Sequence, residues 1–418
     1  MEGSGAGRGS GGGDVLDDAA KTRTPVTGVD TAQQAAPAET PARTRLPYLD
    51  NLRTFMVAWI IGGHALLGYT AIGGWPYDEV HEVTFANRTE LGLAVILGPT
   101  ALFVIGAFFF LSGMVSEPAM AKKGPARFAA DRLVRLGVPF LLFMALIWPL
   151  FMWFAYLSAG YRVSYWWEFT HRRPFLDSGP LWFAEVLLYV SLGYAAWRWI
   201  AARAGRAAPT PPAAPLTGGH LVALTVGMAV ASFVVRLEFP ARSTQILDLH
   251  LWQWPQCVFM FGLGIAAARR GWLAEMPRRL TRASGWVVAV TLVGLPLFAL
   301  VTDLNNIAAD AGPYLGGWHW QSLVLDGSEA VLVVFGTVWL CGLAQRTLAG
   351  TGARAAGWAR ASYAAFALQA PVLLTLAIAF RRLSWPAEAK AICVAVLGVP
   401  VSFWLAQRLV RFRARRAV

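Results

Sequence analysis

Two residues in the first apolar stretch, Arg53 and His64, are chemically out of place among their neighbours and stand eleven positions apart. On a helix rising about 1.5 Å per residue, that spacing is roughly 16 Å, about half the ~30 Å hydrocarbon thickness of a bilayer. With Arg53 at one membrane face, His64 lies near the midplane, where an ionisable group is costly and a functional role is the default reading. A neutral imidazole in a dry site is a competent general base near neutral pH. Gly62 and Gly63, just before it, leave room for a ligand to approach. The plainer alternative is a hydrogen bond from His64 to a neighbouring helix.

Two further sets of residues could do chemistry. Arg132 and Arg135 are three apart, a spacing that places them on one helix face. Two planar guanidinium forks on one face suit a phosphate or pyrophosphate; the alternative is a basic flank resting on lipid phosphates. Glu185 falls inside an apolar run, where a carboxylate must be wet or paired. It faces either an acceptor cleft, bonding a sugar hydroxyl, or an intramembrane cation such as Arg236.

The elements that carry these residues follow from composition. Hydrophobic residues make up 56% of the chain and charged residues only 14%, against nearly 25% in a soluble domain. Too few polar residues remain to cover a water-facing surface. The chain is expected to be all-α, a polytopic membrane bundle of about ten helices, each near the ~20 residues a span requires. The expected span cores are Thr54–Ile72, Leu93–Val115, Val134–Tyr156, Leu181–Ile200, Leu221–Val235, Trp252–Ala268, Trp286–Val301, Val324–Leu343, Ala361–Phe380 and Ala391–Leu409. None shows the ten-residue alternation of a membrane β-barrel. Residues 1–45, rich in Gly, Ala, Thr and Pro, are expected to form a disordered cytoplasmic tail. Residues 46–410 form the membrane domain, and residues 411–418 a basic tail. No charged n-region followed by an apolar h-region opens the chain, so the first apolar segment is expected to be a span. Cys257, Cys341 and Cys393 show no paired spacing and read as small buried hydrophobes rather than disulfide or metal ligands.

Cation placement sets the orientation. One set of loops carries Lys122, Lys123, Arg127, Arg198, Arg203, Arg206, Arg269, Arg270, Arg278, Arg279, Arg346 and Arg354, and the chain ends on Arg411, Arg413, Arg415 and Arg416. The other set holds Asp78, Glu79, Glu82, Glu90 and the Trp- and Gly-rich stretch 312–320. Both termini are therefore expected in the cytoplasm, and the protein in the cell inner (plasma) membrane. This bias accounts for much of the net charge of +12 without a nucleic-acid partner.

Several motifs occur in a recognisable order: Tyr48-Leu49-Asp50-Asn51-Leu52-Arg53 with His64 eleven residues on; Phe108-Phe109-Phe110-Leu111-Ser112-Gly113; Arg132-x-x-Arg135 with Pro139; Leu181-Trp182-Phe183; Gln256 followed by Phe261-Gly262-Leu263-Gly264; and Ser362-Tyr363. In these the chain, over roughly residues 46–410, resembles the acyltransferase-3 family of integral-membrane O-acyltransferases. Within it the chain is most similar to the branch containing osmoregulated-glucan succinyltransferases. It departs from the family pattern at Gln369, in a region where a His often follows the Ser-Tyr motif, and at Glu185. It also lacks an appended hydrolase-like domain.

The resemblance implies acyl transfer from cytosolic acyl-CoA, a donor substrate rather than a resident cofactor, to a hydroxyl of a carbohydrate or glycosylated small molecule. His64 is then the base. Arg53, Arg132 and Arg135 meet the CoA, with Arg53 orienting the donor, and no metal is called for. Glu185, Trp182 and Ser112 are candidate acceptor contacts, reached past loops at 75–90 and 161–179. Membrane lipids are the other expected partner. A transporter or flippase has the same midplane polar residues, but the paired interrupted helices of an internal repeat are missing from the sequence. A lipid-scaffolding protein leaves the depth of His64 unexplained.

The cation bias makes a checkable statement about topology. In intact cells, a cysteine introduced by Lys122→Cys should resist an impermeant thiol reagent, while one introduced by Gly316→Cys should react. Labelling at position 122 would invert the orientation.

Overall fold

The computed structural model describes residues 46–70, 83–171, 175–206, 214–243, 245, 248–274, 276–303 and 311–416. The expected N-terminal tail, the acidic residues Asp78, Glu79 and Glu82, and most of the loop expected at 75–90 lie outside the described residues. A backbone in hydrocarbon has no water to bond to, so it satisfies itself within helices, and all regular structure among the described residues is helical.

The long elements are α1 (Pro47–Leu67), α2 (Asn87–Lys123), α3 (Pro125–Ser158), a short α4 (Tyr165–His171), α5 (Trp182–Arg203), α6 (Gly218–Glu238), α7 (Trp254–Arg270), α8 (Arg278–Val301), α9 (Trp320–Thr347), α10 (Ala353–Phe380) and α11 (Ala387–Arg416). Proline at the first turn opens α1, α3 and α7, where its missing N–H costs nothing. Gly271, in the left-handed region at φ 68°, closes α7.

Eight helices are long and apolar enough to cross a membrane, against ten expected spans. The other two expected spans are helical but fall short. Asp50, Arg53 and His64 lower the apolar character of α1, and α7 has only 17 residues. Three boundaries differ from expectation. α1 starts at Pro47, so Arg53 lies nearly two turns inside it. α11 continues as helix to Arg416, through most of the segment read as a tail. α3 runs unbroken from Pro125 to Ser158 but contains two π-helical turns, Leu133–Gly137 and Phe143–Ile147.

The helix ends gather on two sides. On the arginine-rich side, Tyr48 Oη donates to the Leu273 carbonyl at 2.7 Å and Asn51 Nδ2 to the Leu348 carbonyl at 2.7 Å. Trp272 Nε1 donates to the Ala214 carbonyl, also at 2.7 Å. On the opposite side, the Gly317 N–H bonds the Arg236 carbonyl at 3.1 Å, and the Ala86 N–H bonds Glu388 at 3.2 Å.

Two features fix the centre. α2 and α7 pack backbone to backbone. A Cβ on Gly113 would run into the Phe261 carbonyl, and one on Gly264 into the Phe110 carbonyl. Close approach of this kind is how small residues drive helix association where lipid offers no hydrophobic gain. The second feature is a buried ionic network. Arg236 of α6 donates to Asp326 and, at 2.6 Å, to Glu329, both on α9, and Gln256 of α7 donates to the other oxygen of Glu329 at 2.9 Å. All four side chains are buried.

The glycine contact gives a stability prediction. Gly264→Val should lower the thermal stability of the full chain in detergent by about 1–3 kcal/mol or more, because a backbone atom cannot move aside as a side chain can. A surface control, Gly262→Val, has nothing within 4 Å of its added Cβ and should be nearly neutral.

Candidate active site

α1 and α10 lie alongside one another and are tied at three levels. Arg53 Nη2 donates to the Ala359 carbonyl at 2.9 Å and pairs with Asp50 at 3.3 Å. The hydroxyls of Thr54 and Ser362 are 3.0 Å apart. Farther from the arginine-rich side, His64 Nδ1 lies 3.0 Å from Gln369 Oε1. A carboxamide oxygen only accepts, so this contact places the ring hydrogen on Nδ1 and the lone pair on Nε2. Gln369 is fully buried, and its Nε2 has no hydrogen-bond partner among the described residues. Pro371, two residues on, lacks the N–H that would bond the Ala367 carbonyl, which loosens α10 beside the pair. No described atom comes within 4 Å of a Cβ built on Gly62 or Gly63, so the space expected next to His64 is present. On the arginine-rich side of the same two helices, a groove of about 470 Å³ is lined by Asn51, Thr54, Phe55, Ala58, Arg354, Ala355 and Trp358.

The two arginines of the Arg-x-x-Arg motif are not brought together. Arg132 turns inward: its Nη2 donates to Ser116 Oγ at 2.8 Å, and its guanidinium lies 4.9 Å from the centre of the Phe128 ring. Arg135 turns outward, with 70% of its side chain exposed, and pairs with Asp131 at 2.8 Å. The expectation of a shared face assumed an α-helix. The π turn that begins at Leu133 widens the helix between the two residues and separates their directions.

Glu185 does not meet Arg236, which is held by Asp326 and Glu329. Tyr189 Oη donates to Glu185 Oε1 at 3.0 Å, while Oε2 is buried with no partner among the described residues. One turn earlier on α5, Trp182 stacks on His250 with ring centres 4.5 Å apart. Ser112 presents its carbonyl to Ser116 Oγ at 2.6 Å, and Phe108, one turn before Ser112, packs on Phe183 at 5.7 Å. Sequence reasoning left out His250, which sits in the left-handed region at φ 47°, and the group around Glu117. No spacing signal links residues so far apart in the chain. Among the described residues, no three His, Cys, Asp or Glu side chains come together as a set of metal ligands.

The site thus offers an imidazole with its tautomer held, open space beside it, basic groups on one side, and aromatic rings with an under-bonded carboxylate on α5. Such an arrangement can take a proton from a hydroxyl and hold an anionic partner. The model for the acyltransferase domain of the acyltransferase-3 family matches residues 46–407. No curated protein and no solved structure matches the chain. With that match covering most of its length, the chain belongs to the acyltransferase-3 family and is a multi-pass membrane acyltransferase.

Proposed function

We propose that the protein moves an acyl group from acyl-CoA, entering from the cytoplasm, to a hydroxyl of a carbohydrate or glycosylated acceptor in the cell inner membrane, with His64 as the general base. The observation that carries this reading is the His64–Gln369 contact. It orients a base that would otherwise be free to tumble, and it reserves Nε2 for the substrate. The acceptor hydroxyl attacks the thioester carbonyl and gives its proton to Nε2. The C–S bond then breaks, and the departing thiolate takes the proton back. An N–H donor near the carbonyl would hold the developing oxyanion. Gln369 stands where a second His is often found in the family. It can hold the ring but cannot itself exchange a proton.

The donor's phosphates meet the arginine-rich side, where Arg53 and Arg132 stand on adjoining helices and Arg135 is exposed. The acceptor approaches from the opposite side, past Trp182 and Glu185, which lie three residues apart on one face of α5. An aromatic face and a carboxylate with an open bonding position suit a sugar ring and its hydroxyls. A glucan-type acceptor and a succinyl donor are the specific pair that the sequence motifs favour. Membership of an acyltransferase family weighs against transport as the primary activity.

The base assignment is tested with purified protein by thiol release from acyl-CoA in the presence of acceptor. His64→Ala should lose about 2–4 orders of magnitude in transfer rate while still binding CoA. Gln369→Leu should lower kcat by about 10- to 100-fold with little change in KM, as expected when the partner orienting a functional group is removed. Near-normal transfer by His64→Ala would sink the assignment.

The acceptor face has its own test. Glu185→Gln should raise the acceptor KM and leave donor affinity unchanged, since the donor arrives from the other side. A variant that loses thermal stability but keeps its acceptor KM would mark Glu185 as structural.

A further inference from the structure

A group of charged residues that the reaction does not require lies on the arginine-rich side, where α2, α3, α5 and α7 meet. At its centre is Glu117, buried near the end of α2. Tyr194 Oη donates to Glu117 Oε2, Arg198 Nη1 lies 3.4 Å from the same oxygen, and Arg269 Nε lies 3.2 Å from Oε1. Arg198 Nη1 also donates to Tyr194 Oη at 3.1 Å. Arg132 joins from α3 through Ser116, the residue before Glu117. Its Nε is buried with no hydrogen-bond partner among the described residues. Phe128, under the Arg132 guanidinium, meets Tyr194 edge-on at 6.3 Å, so one aromatic spine backs both arginines.

Charge does not balance here. Three guanidinium groups gather around one carboxylate, which leaves two positive charges. The nearby acid Asp131 is already paired with Lys123 at 2.9 Å and Arg135 at 2.8 Å. Arg198 and Arg269 keep 19% and 20% of their side-chain surfaces open, whereas Glu117 keeps 9%. Ligand can therefore reach the cations while the acid stays covered. The close packing at Gly113 and Gly264 holds α2 and α7 in register and keeps Glu117 beside Arg269.

We infer that Arg132, Arg198 and Arg269, gathered by Glu117 and Tyr194, form a binding site for a phosphate monoester dianion. Two excess positive charges match the two negative charges of such a group, and guanidinium forks bind phosphate oxygens with paired hydrogen bonds. Glu117 pre-orders the arginines and at the same time competes with the ligand for them. The phosphate belongs either to the donor nucleotide, an assignment that rests on the acyl-CoA reading above, or to a lipid headgroup.

The full-length protein in phosphatidylcholine nanodiscs is titrated with CoA and with dephospho-CoA, which lacks the 3′-phosphate monoester. Its thermal stability is also compared in nanodiscs with and without phosphatidic acid. Wild type should bind CoA about 10- to 100-fold more tightly than dephospho-CoA, and Arg198→Gln and Arg269→Gln should each erase most of that ratio. Arg198→Lys, which keeps the charge and so guards against misfolding, should lie between. Glu117→Gln should melt lower yet bind CoA more tightly, a gain that a purely structural ion pair would not give. If CoA does not bind wild type but phosphatidic acid stabilises it through Arg198 and Arg269, the phosphate site stands with a lipid as ligand, and the acyl-CoA reading fails. If the arginine variants change neither CoA affinity nor the response to phosphatidic acid, the inference is overturned.

Discussion

Inside hydrocarbon a polar group has only the protein to bond to, and the helix arrangement answers to that requirement. Arg236 would be very costly if left alone in the bundle. It binds α6 to α9 through Asp326 and Glu329, and Glu329 in turn holds Gln256 of α7. Removing one partner from such a network typically costs about 3–5 kcal/mol, because the remaining charge stays buried. The pairings of His64 with Gln369 and of Glu117 with its arginines follow the same rule. In each, the residue that bears the chemistry also fastens two helices together.

The helices were largely legible in the sequence because apolar runs bounded by cations leave little choice of structure. His64 was legible for the same reason: a lone imidazole in an apolar run stands out. Its partner did not, because Gln369 is 305 positions away and a neutral amide in a span carries no alarm. The Arg132–Arg135 pair was misplaced because hydrophobic pattern does not reveal a π turn. Glu185 was rightly flagged as costly, but its nearest bond is to Tyr189, one turn along its own helix, and not to the distant arginine. Glu117 passed unnoticed near the end of a basic-flanked helix, where acids are common.

The elements divide the labour by depth. The arginine-rich ends of α2, α3, α5 and α7 concentrate positive charge where an anionic donor would arrive. The α1–α10 seam carries the base away from that charge, so the imidazole is not crowded by guanidinium groups. Trp182, His250 and Glu185 belong to the opposite end of α5. The backbone contact of α2 with α7 keeps the first of these regions from sliding against the rest.

The two π turns of α3 bear on ancestry. Each contains one residue more than an α-helical path needs, and Pro139 and Pro149 follow them at the first positions of the next α-helical segments. A single deletion between 133 and 137 would return that turn to α-helix and swing Arg135 back toward the side of Arg132, leaving the helix continuous. The helix thus carries spare length that a lineage can gain or lose without breaking the bundle. Relatives aligned to this chain should show their one-residue gaps in that stretch, and the gap would mark which of them present both arginines together.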